Sequence, residues 1–222
     1  MTTFPAAVVF DLDGTLIDSE QTWDEVRRGL AAEDGVPWPD EATTAMMGMS
    51  TQEWSTYLSE TVGLTSDPDQ SARRVIDALL DRYRHGRIEV LPGAADAVRR
   101  LAAEFPLGVA SSSARVLIEA GLDAIGVRDA VSVVVSTEEV ANGKPEPDGY
   151  LEACRQLGVD PAASVAVEDS GNGAKSALAA GMKTVVIPPA FHPPSDDILQ
   201  RCDAVLDGLA DLTPDLVRSL FD

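Results

Sequence analysis

Lysine is nearly missing from this chain of 222 residues: only Lys144, Lys175 and Lys183 occur, all in its C-terminal part. With 17 basic against 37 acidic residues, the formal net charge is −20. A field of that sign repels nucleic acid and anionic membranes, so neither is expected as a partner. Cysteine is scarce too. Cys154 and Cys202 lack metal-ligand spacing and form no disulfide framework, so both read as buried free thiols of a reducing compartment. No apolar run approaches the ~20 residues of a membrane span. Ala6–Phe10 has no basic residue ahead of it and no small-residue cleavage site after it, and it reads as a strand rather than a signal peptide. A cytoplasmic location is the resulting expectation. Internal repeats and low-complexity tracts are also lacking, and nothing in the sequence speaks for an oligomer, so a monomer is the default.

What is present suits a globular α/β chain, with 45% hydrophobic and 24% charged residues. Ala6–Phe10 is a short apolar run that breaks into the polar turn Asp11–Thr15, the pattern of a buried parallel strand delivering its C-terminal end to a loop. Similar runs recur at Pro106–Ala110, Ala130–Val135, Ser164–Val167 and Thr184–Ile187. Helical patterns at Ala94–Glu104, Ala114–Ile125, Asp148–Leu157 and Gly173–Ala180 alternate with them, which predicts a parallel sheet with helices on both faces. From Ile17 to Gly86 the chain shows helical periodicity, no convincing strand, and all three tryptophans, Trp23, Trp38 and Trp54. The expected organisation is a Rossmann-like core of residues 1–16 and 88–222 with a helical insertion, 17–87, after the first strand. Pro92-Gly93 marks the return to the core.

Asp11 and Asp13 stand two residues apart at a strand end, so their side chains share a side if the extended geometry persists. An isolated Asp-x-Asp more often caps a turn. This one follows a buried strand, where open α/β sheets bind ligands, and that favours the pair as a site. Lys144, Ser111 and Glu168-Asp169 each have an ordinary explanation taken singly: a solvated loop cation, a strand-end cap, a helix cap. Their order along the chain is what sets them apart.

The stretch Phe10–Leu16 resembles the first motif of the haloacid dehalogenase superfamily, and three further motifs follow in the expected order. Ser111 in Ala110–Ser113 is similar to the second-motif hydroxyl, Lys144 in Gly143–Asp148 to the third-motif lysine, and Glu168 and Asp169 to the fourth-motif acids. The likeness spans nearly the whole chain. It implies an aspartate nucleophile, Asp11, an acid and base, Asp13, and phosphate held by Ser111, Ser112 and Lys144. It also implies Mg²⁺ bound by the Asp11 carboxylate, the Asp13 main-chain oxygen, Asp169 and Glu168, the last directly or through water. Such chemistry fits the residue types. A carboxylate nucleophile splits phosphoryl transfer into two displacements, and the crowding of anions calls for a hard cation and a point charge.

Within the superfamily, Asp13 speaks against carbon–halogen cleavage, which needs no acid for an alkoxide. The lack of any lysine before Lys144 speaks against a Schiff-base hydrolase. The insertion resembles the small helical cap of the β-phosphoglucomutase and phosphoglycolate phosphatase branch. Against the mutase stand three features: no arginine in Gly48–Gln52, no histidine before His85 with Trp23 in its place, and Thr15 after Gly14. The expectation is a phosphatase acting on a small metabolite such as a sugar or polyol phosphate. A mutase and a catalytically silent metabolite-binding domain are the alternatives. Trp23, Gly48 and Met49 are the cap residues expected to meet substrate, and the low charge of the cap favours a neutral leaving group. Met46, Met47 and Trp54 are expected to pack.

Overall fold

The architecture is that of a computed structural model, which describes residues 5–46, 49–190 and 193–222. Gly48, Met47 and His192 lie outside the described residues. The chain opens with strand β1 (Ala7–Phe10), then β2 (Ile17–Asp18) and four helices, α1 (Glu20–Glu33), α2 (Ala42–Ala45), α3 (Thr51–Tyr57) and α4 (Pro68–Arg84). After β3 (Glu89–Val90), helices and strands alternate: α5 (Ala94–Ala102), β4 (Leu107–Ser111), α6 (Arg115–Ile125), β5 (Val133–Ser136), α7 (Asp148–Leu157), β6 (Ser164–Glu168), α8 (Gly171–Ala179) and β7 (Lys183–Val186). Helix α9 (Asp196–Leu199), β8 (Ala204–Val205) and α10 (Pro214–Ser219) complete it.

Six parallel strands form one sheet in the order β5-β4-β1-β6-β7-β8. Strand β1 is central because Ala7-Val8-Val9-Phe10 is apolar on both faces and fully buried, as a strand covered by helices on both sides must be. It pairs with β4 through Val8↔Leu107 and with β6 through Ala7↔Ser164, so the ends of all three strands reach the same edge of the sheet. The strand order reverses around β1, and ligands of open α/β sheets bind in the crevice beyond such a point.

The expected strands and helices recur, α7 with the expected bounds and the others with ends shifted by at most three residues. Ala130 closes a short 3₁₀ turn, Arg128–Ala130, rather than opening β5. Helix α8 starts at Gly171, two residues earlier than its periodicity suggests, because the Ser170 side chain accepts from the Gly173 N–H at 3.0 Å and caps it. A larger difference lies at the insertion's two ends. Ile17–Asp18 and Glu89–Val90 pair antiparallel, Ile17↔Val90 and Asp18↔Glu89, a two-residue ribbon too short to leave a periodic signal. Both connections into the helical segment therefore run side by side. Within it, Leu58–Val62 continues α3 as a π-helical turn ending at Gly63 in the left-handed conformation. The insertion's apolar residues Val26, Leu30, Trp54, Leu58, Val75 and Leu79 join one hydrophobic cluster with Phe10 of β1, Leu12 just after it and Ile118 of α6. Contact between α4 and α6 is close: a Cβ on Gly121 would stand 3.4 Å from the Tyr83 ring. Cys154 is buried beneath the sheet, as expected of a free thiol, whereas Cys202 is only half-buried.

Candidate active site

Four strand ends bring the expected residues together. Asp11 follows β1, Ser111 closes β4, Glu168 closes β6, and Lys144 sits on the loop between β5 and α7. Lys144 Nζ donates to Asp11 Oδ1 at 2.5 Å and to Glu168 Oε1 at 2.7 Å, with its own side chain 7% exposed. Burial alone would lower the lysine's pKa, but Asp11 and Glu168 outweigh it and hold the ammonium charged, above its ordinary value. Burial pushes Asp11 up to about 7 against the pull of Lys144, with the Glu168 and Asp13 carboxylates adding to the rise. Asp169 is raised well above the usual carboxylate range, first by burial and then by Glu168 and Asp11.

Carboxylate oxygens of Asp11, Glu168 and Asp169 all lie within 4.8 Å of one another, and all three residues are buried. An all-oxygen donor set with more anions than Lys144 neutralises suits a hard divalent ion such as Mg²⁺. The backbone is shaped around these acids. Gly14 has φ +85°, and a Cβ there would lie 2.1 Å from Asp169 Oδ2. At Gly173 a Cβ would lie 1.9 Å from Glu168 Oε1, so only glycine lets α8 approach the acid. Thr15 Oγ1 donates to Asp169 Oδ1 at 3.4 Å.

Asp13 projects to the same site and is gripped by three hydroxyls: Ser19 Oγ at 2.6 Å, Ser113 Oγ at 2.7 Å and Ser111 Oγ at 3.3 Å. Ser111 also accepts the Ser113 N–H at 3.1 Å, which sets the turn after β4. Ser112 is half-buried and lines the same cavity. Sequence reasoning missed Ser19 and Ser113, since a lone serine near a strand end carries no signal. Tyr150 was missed as well. Its fully buried hydroxyl donates to Glu168 Oε1 at 2.8 Å, and its ring lies 5.1 Å from Lys144 Nζ. The other Glu168 oxygen accepts from Ser170 Oγ at 3.1 Å and from the Asp169 and Ser170 N–H groups.

A cavity of about 340 Å³ opens over these residues, floored by Asp11, Asp13, Ser111, Ser112, Ser113, Lys144 and Asp169. The helical insertion supplies its roof: Ser19, Glu20, Trp23, Asp24 and Arg27 of the α1 region, Thr43, Thr44 and Met46, then Met49 and Trp54. Trp23 and Met49 thus line the cavity. Trp54 and Met46 are packed, each 2% exposed, and border it as well. Arg27, one arginine among several in the insertion, was not distinguishable by sequence. It is 8% exposed, its Cζ lies 4.6 Å from the Trp23 ring centroid and 5.2 Å from that of Trp54, and among the described residues its buried Nε has no hydrogen-bond partner.

This combination of core, inserted roof and acid cluster has close parallels. The haloacid dehalogenase-like hydrolase family matches residues 5–181, and the chain belongs to that family. Among curated proteins it is similar to hexitol phosphatase B of Escherichia coli strain K12, 32% identical over 219 residues that cover 93% of this chain and 94% of that one. It is also similar to the bifunctional riboflavin kinase/FMN phosphatase of Arabidopsis thaliana, 31% identical over 212 residues. That match covers 93% of this chain but spans only 54% of the plant protein's length. The solved structure of CbbY from Rhodobacter sphaeroides in complex with phosphate superposes with a TM-score of 0.83 at 26% identity, covering 98% of this chain and 100% of the other. No helix among the described residues is long and apolar enough to cross a membrane.

Proposed function

We propose that this protein, a phosphoric monoester hydrolase of small phosphorylated metabolites, is an Mg²⁺-dependent sugar or polyol phosphatase working through an aspartyl phosphate on Asp11. The observation that carries the reading is the meeting of Asp11, Asp13, Lys144 and Asp169 on the floor of one small cavity under the helical insertion, residues 17–87, which acts as a cap. A volume near 340 Å³ sits at the lower end of ligand pockets and suits a metabolite of a few carbons. Relatives named as hexitol and fructose-1-phosphate phosphatases support the sugar and polyol class.

In the first half-reaction an Asp11 carboxylate oxygen bonds to phosphorus as the phosphorus–oxygen bond to the leaving group breaks, and Asp13 gives that alkoxide its proton. In the second, Asp13 takes a proton from water as the water oxygen bonds to phosphorus and the phosphorus–oxygen bond to Asp11 breaks, freeing the carboxylate. The grip of Ser19, Ser111 and Ser113 on Asp13 fixes the direction of its proton transfer. Lys144 steadies Asp11 and meets the phosphoryl charge, and Ser111, Ser112 and neighbouring N–H groups receive phosphoryl oxygens. Asp11, the Asp13 main-chain oxygen, Asp169 and Glu168 would hold Mg²⁺, which supplies positive charge beside the phosphoryl oxygens. Because Lys144, Tyr150 and Ser170 already occupy Glu168, its part is to back the others.

The test is phosphate release from sugar, polyol and short-acid monophosphates, with Mg²⁺ and with chelator, by the wild type and the Asp11→Asn variant. Chelator-sensitive release that vanishes in the variant is expected. Release that survives the substitution contradicts the reading, and isomerisation of a hexose 1-phosphate in place of release points to the mutase.

A further inference from the structure

The roof of the cavity contains a cation that the phosphoryl chemistry does not use. Arg27 comes from α1 of the inserted segment, lines the cavity and is more than nine-tenths buried. Both indole rings lie on one side of its guanidinium, their centroids 4.6 Å and 5.2 Å from Cζ and 5.7 Å from each other, and among the described residues it makes no hydrogen bond or ion pair with any carboxylate. Asp24, the one acid that acts on it electrostatically, is held instead by Arg28 Nε at 2.6 Å and by the Thr43 hydroxyl. Burial lowers the guanidinium to about 10, against the pull of Asp24. Leaving a charge buried without compensation is costly, and such sites are completed by an anion.

Aromatic neighbours gathered on one side of a guanidinium take up none of its N–H donors, whose fork matches the two oxygens of a carboxylate or phosphate. A neutral polyol would meet Thr43, Thr44 and Ser19 equally well and would leave the charge unanswered. We propose that Arg27 is a specificity-determining residue that binds a second oxyanion, a carboxylate or a second phosphate, on the leaving group of the substrate. The inference rests on the phosphatase reading above and replaces the neutral leaving group expected from the sequence. That expectation rested on the low charge of the cap as a whole, whereas this inference rests on one buried cation of helix α1.

The experiment reads binding without turnover, in the Asp11→Asn protein with Mg²⁺, by calorimetry on matched pairs. Glycerol 3-phosphate against 3-phosphoglycerate tests a carboxylate, and fructose 6-phosphate against fructose 1,6-bisphosphate tests a second phosphate. With Arg27 in place, the member bearing the second oxyanion in at least one pair binds roughly 10–100-fold more tightly, the worth of hydrogen bonds to a charged group. Arg27→Met brings that ratio close to one, and Arg27→Lys, which keeps the charge but loses the fork, restores part of it. A merely structural arginine would weaken both members alike and leave the ratio untouched. Equal affinities in both pairs with Arg27 present, or a preference that survives Arg27→Met, overturns the proposal. Failure of the phosphatase reading shows separately, as wild-type protein that releases phosphate from none of these compounds.

Discussion

Tyr150→Phe removes one oxygen from the centre of the molecule and nothing else. The lost hydroxyl donates at 2.8 Å to Glu168 Oε1, both residues are fully buried, and the same oxygen is held by Lys144 at 2.7 Å. The phenyl ring fills the same space, so no cavity forms. The cost is that of a hydrogen bond to a buried charged acceptor, about 1.5–3 kcal/mol. A chain of this length unfolds with an entropy of roughly 0.47 kcal/mol/K, so the midpoint should fall by about 3–6 °C. Glu168 would then lean harder on Lys144 and draw it from Asp11, lowering kcat more than it raises KM. Thermal denaturation, with phosphate release measured in parallel, tests both effects. A variant as stable and as active as the wild type would refute the claim that Tyr150 fixes the Glu168–Lys144–Asp11 chain.

Gly173→Ala should abolish most activity, because its Cβ would fall 1.9 Å from Glu168 Oε1 and force α8 away from the acids; near-normal turnover would contradict the glycine's role. The raised Asp11 sets a pH dependence. Since its folded pKa, about 7, exceeds the unfolded one, the stability linked to its proton is fully present below the ordinary aspartate value and is lost as pH rises through 7. Mg²⁺ requires the ionised form, so it should raise the melting temperature more at pH 8 than at pH 5.5; equal shifts would argue against Asp11 as a ligand. Cys154, buried and pushed up to about 11 by desolvation, should resist iodoacetamide in the native protein and react in urea, while the half-buried Cys202 reacts first. Peptide mass spectrometry separates the two.

The floor of the candidate site was legible where chemistry and chain order coincide. Asp11 and Asp13 share one contiguous turn after a recognisable strand, and Lys144 stands out because the chain has almost no other lysine. What supports them was hidden by distance along the chain: Ser113 reaches Asp13 across 100 positions, and Tyr150 and Lys144 reach Glu168 across 18 and 24. Serine and tyrosine at such separations leave no periodic trace. The same holds for the ribbon formed by β2 and β3, only two residues on each side, and for β8, equally short at the sheet edge. Arg27 was illegible for another reason. Helix α1 carries Arg27 and Arg28 in succession, and only the three-dimensional packing buries one against indoles and leaves the other exposed beside Asp24. Of the expected roof residues, Trp23 and Met49 border the cavity, whereas Gly48 lies outside the described residues.

The nucleophile can be caught directly. Wild-type protein mixed with a substrate labelled in its phosphoryl group and quenched in acid within one turnover should carry label on the peptide containing Asp11. That label should be released by hydroxylamine, as an acyl phosphate is, and should be absent from the Asp11→Asn variant. Turnover with no such label, or label on a serine or another acid, would contradict the account.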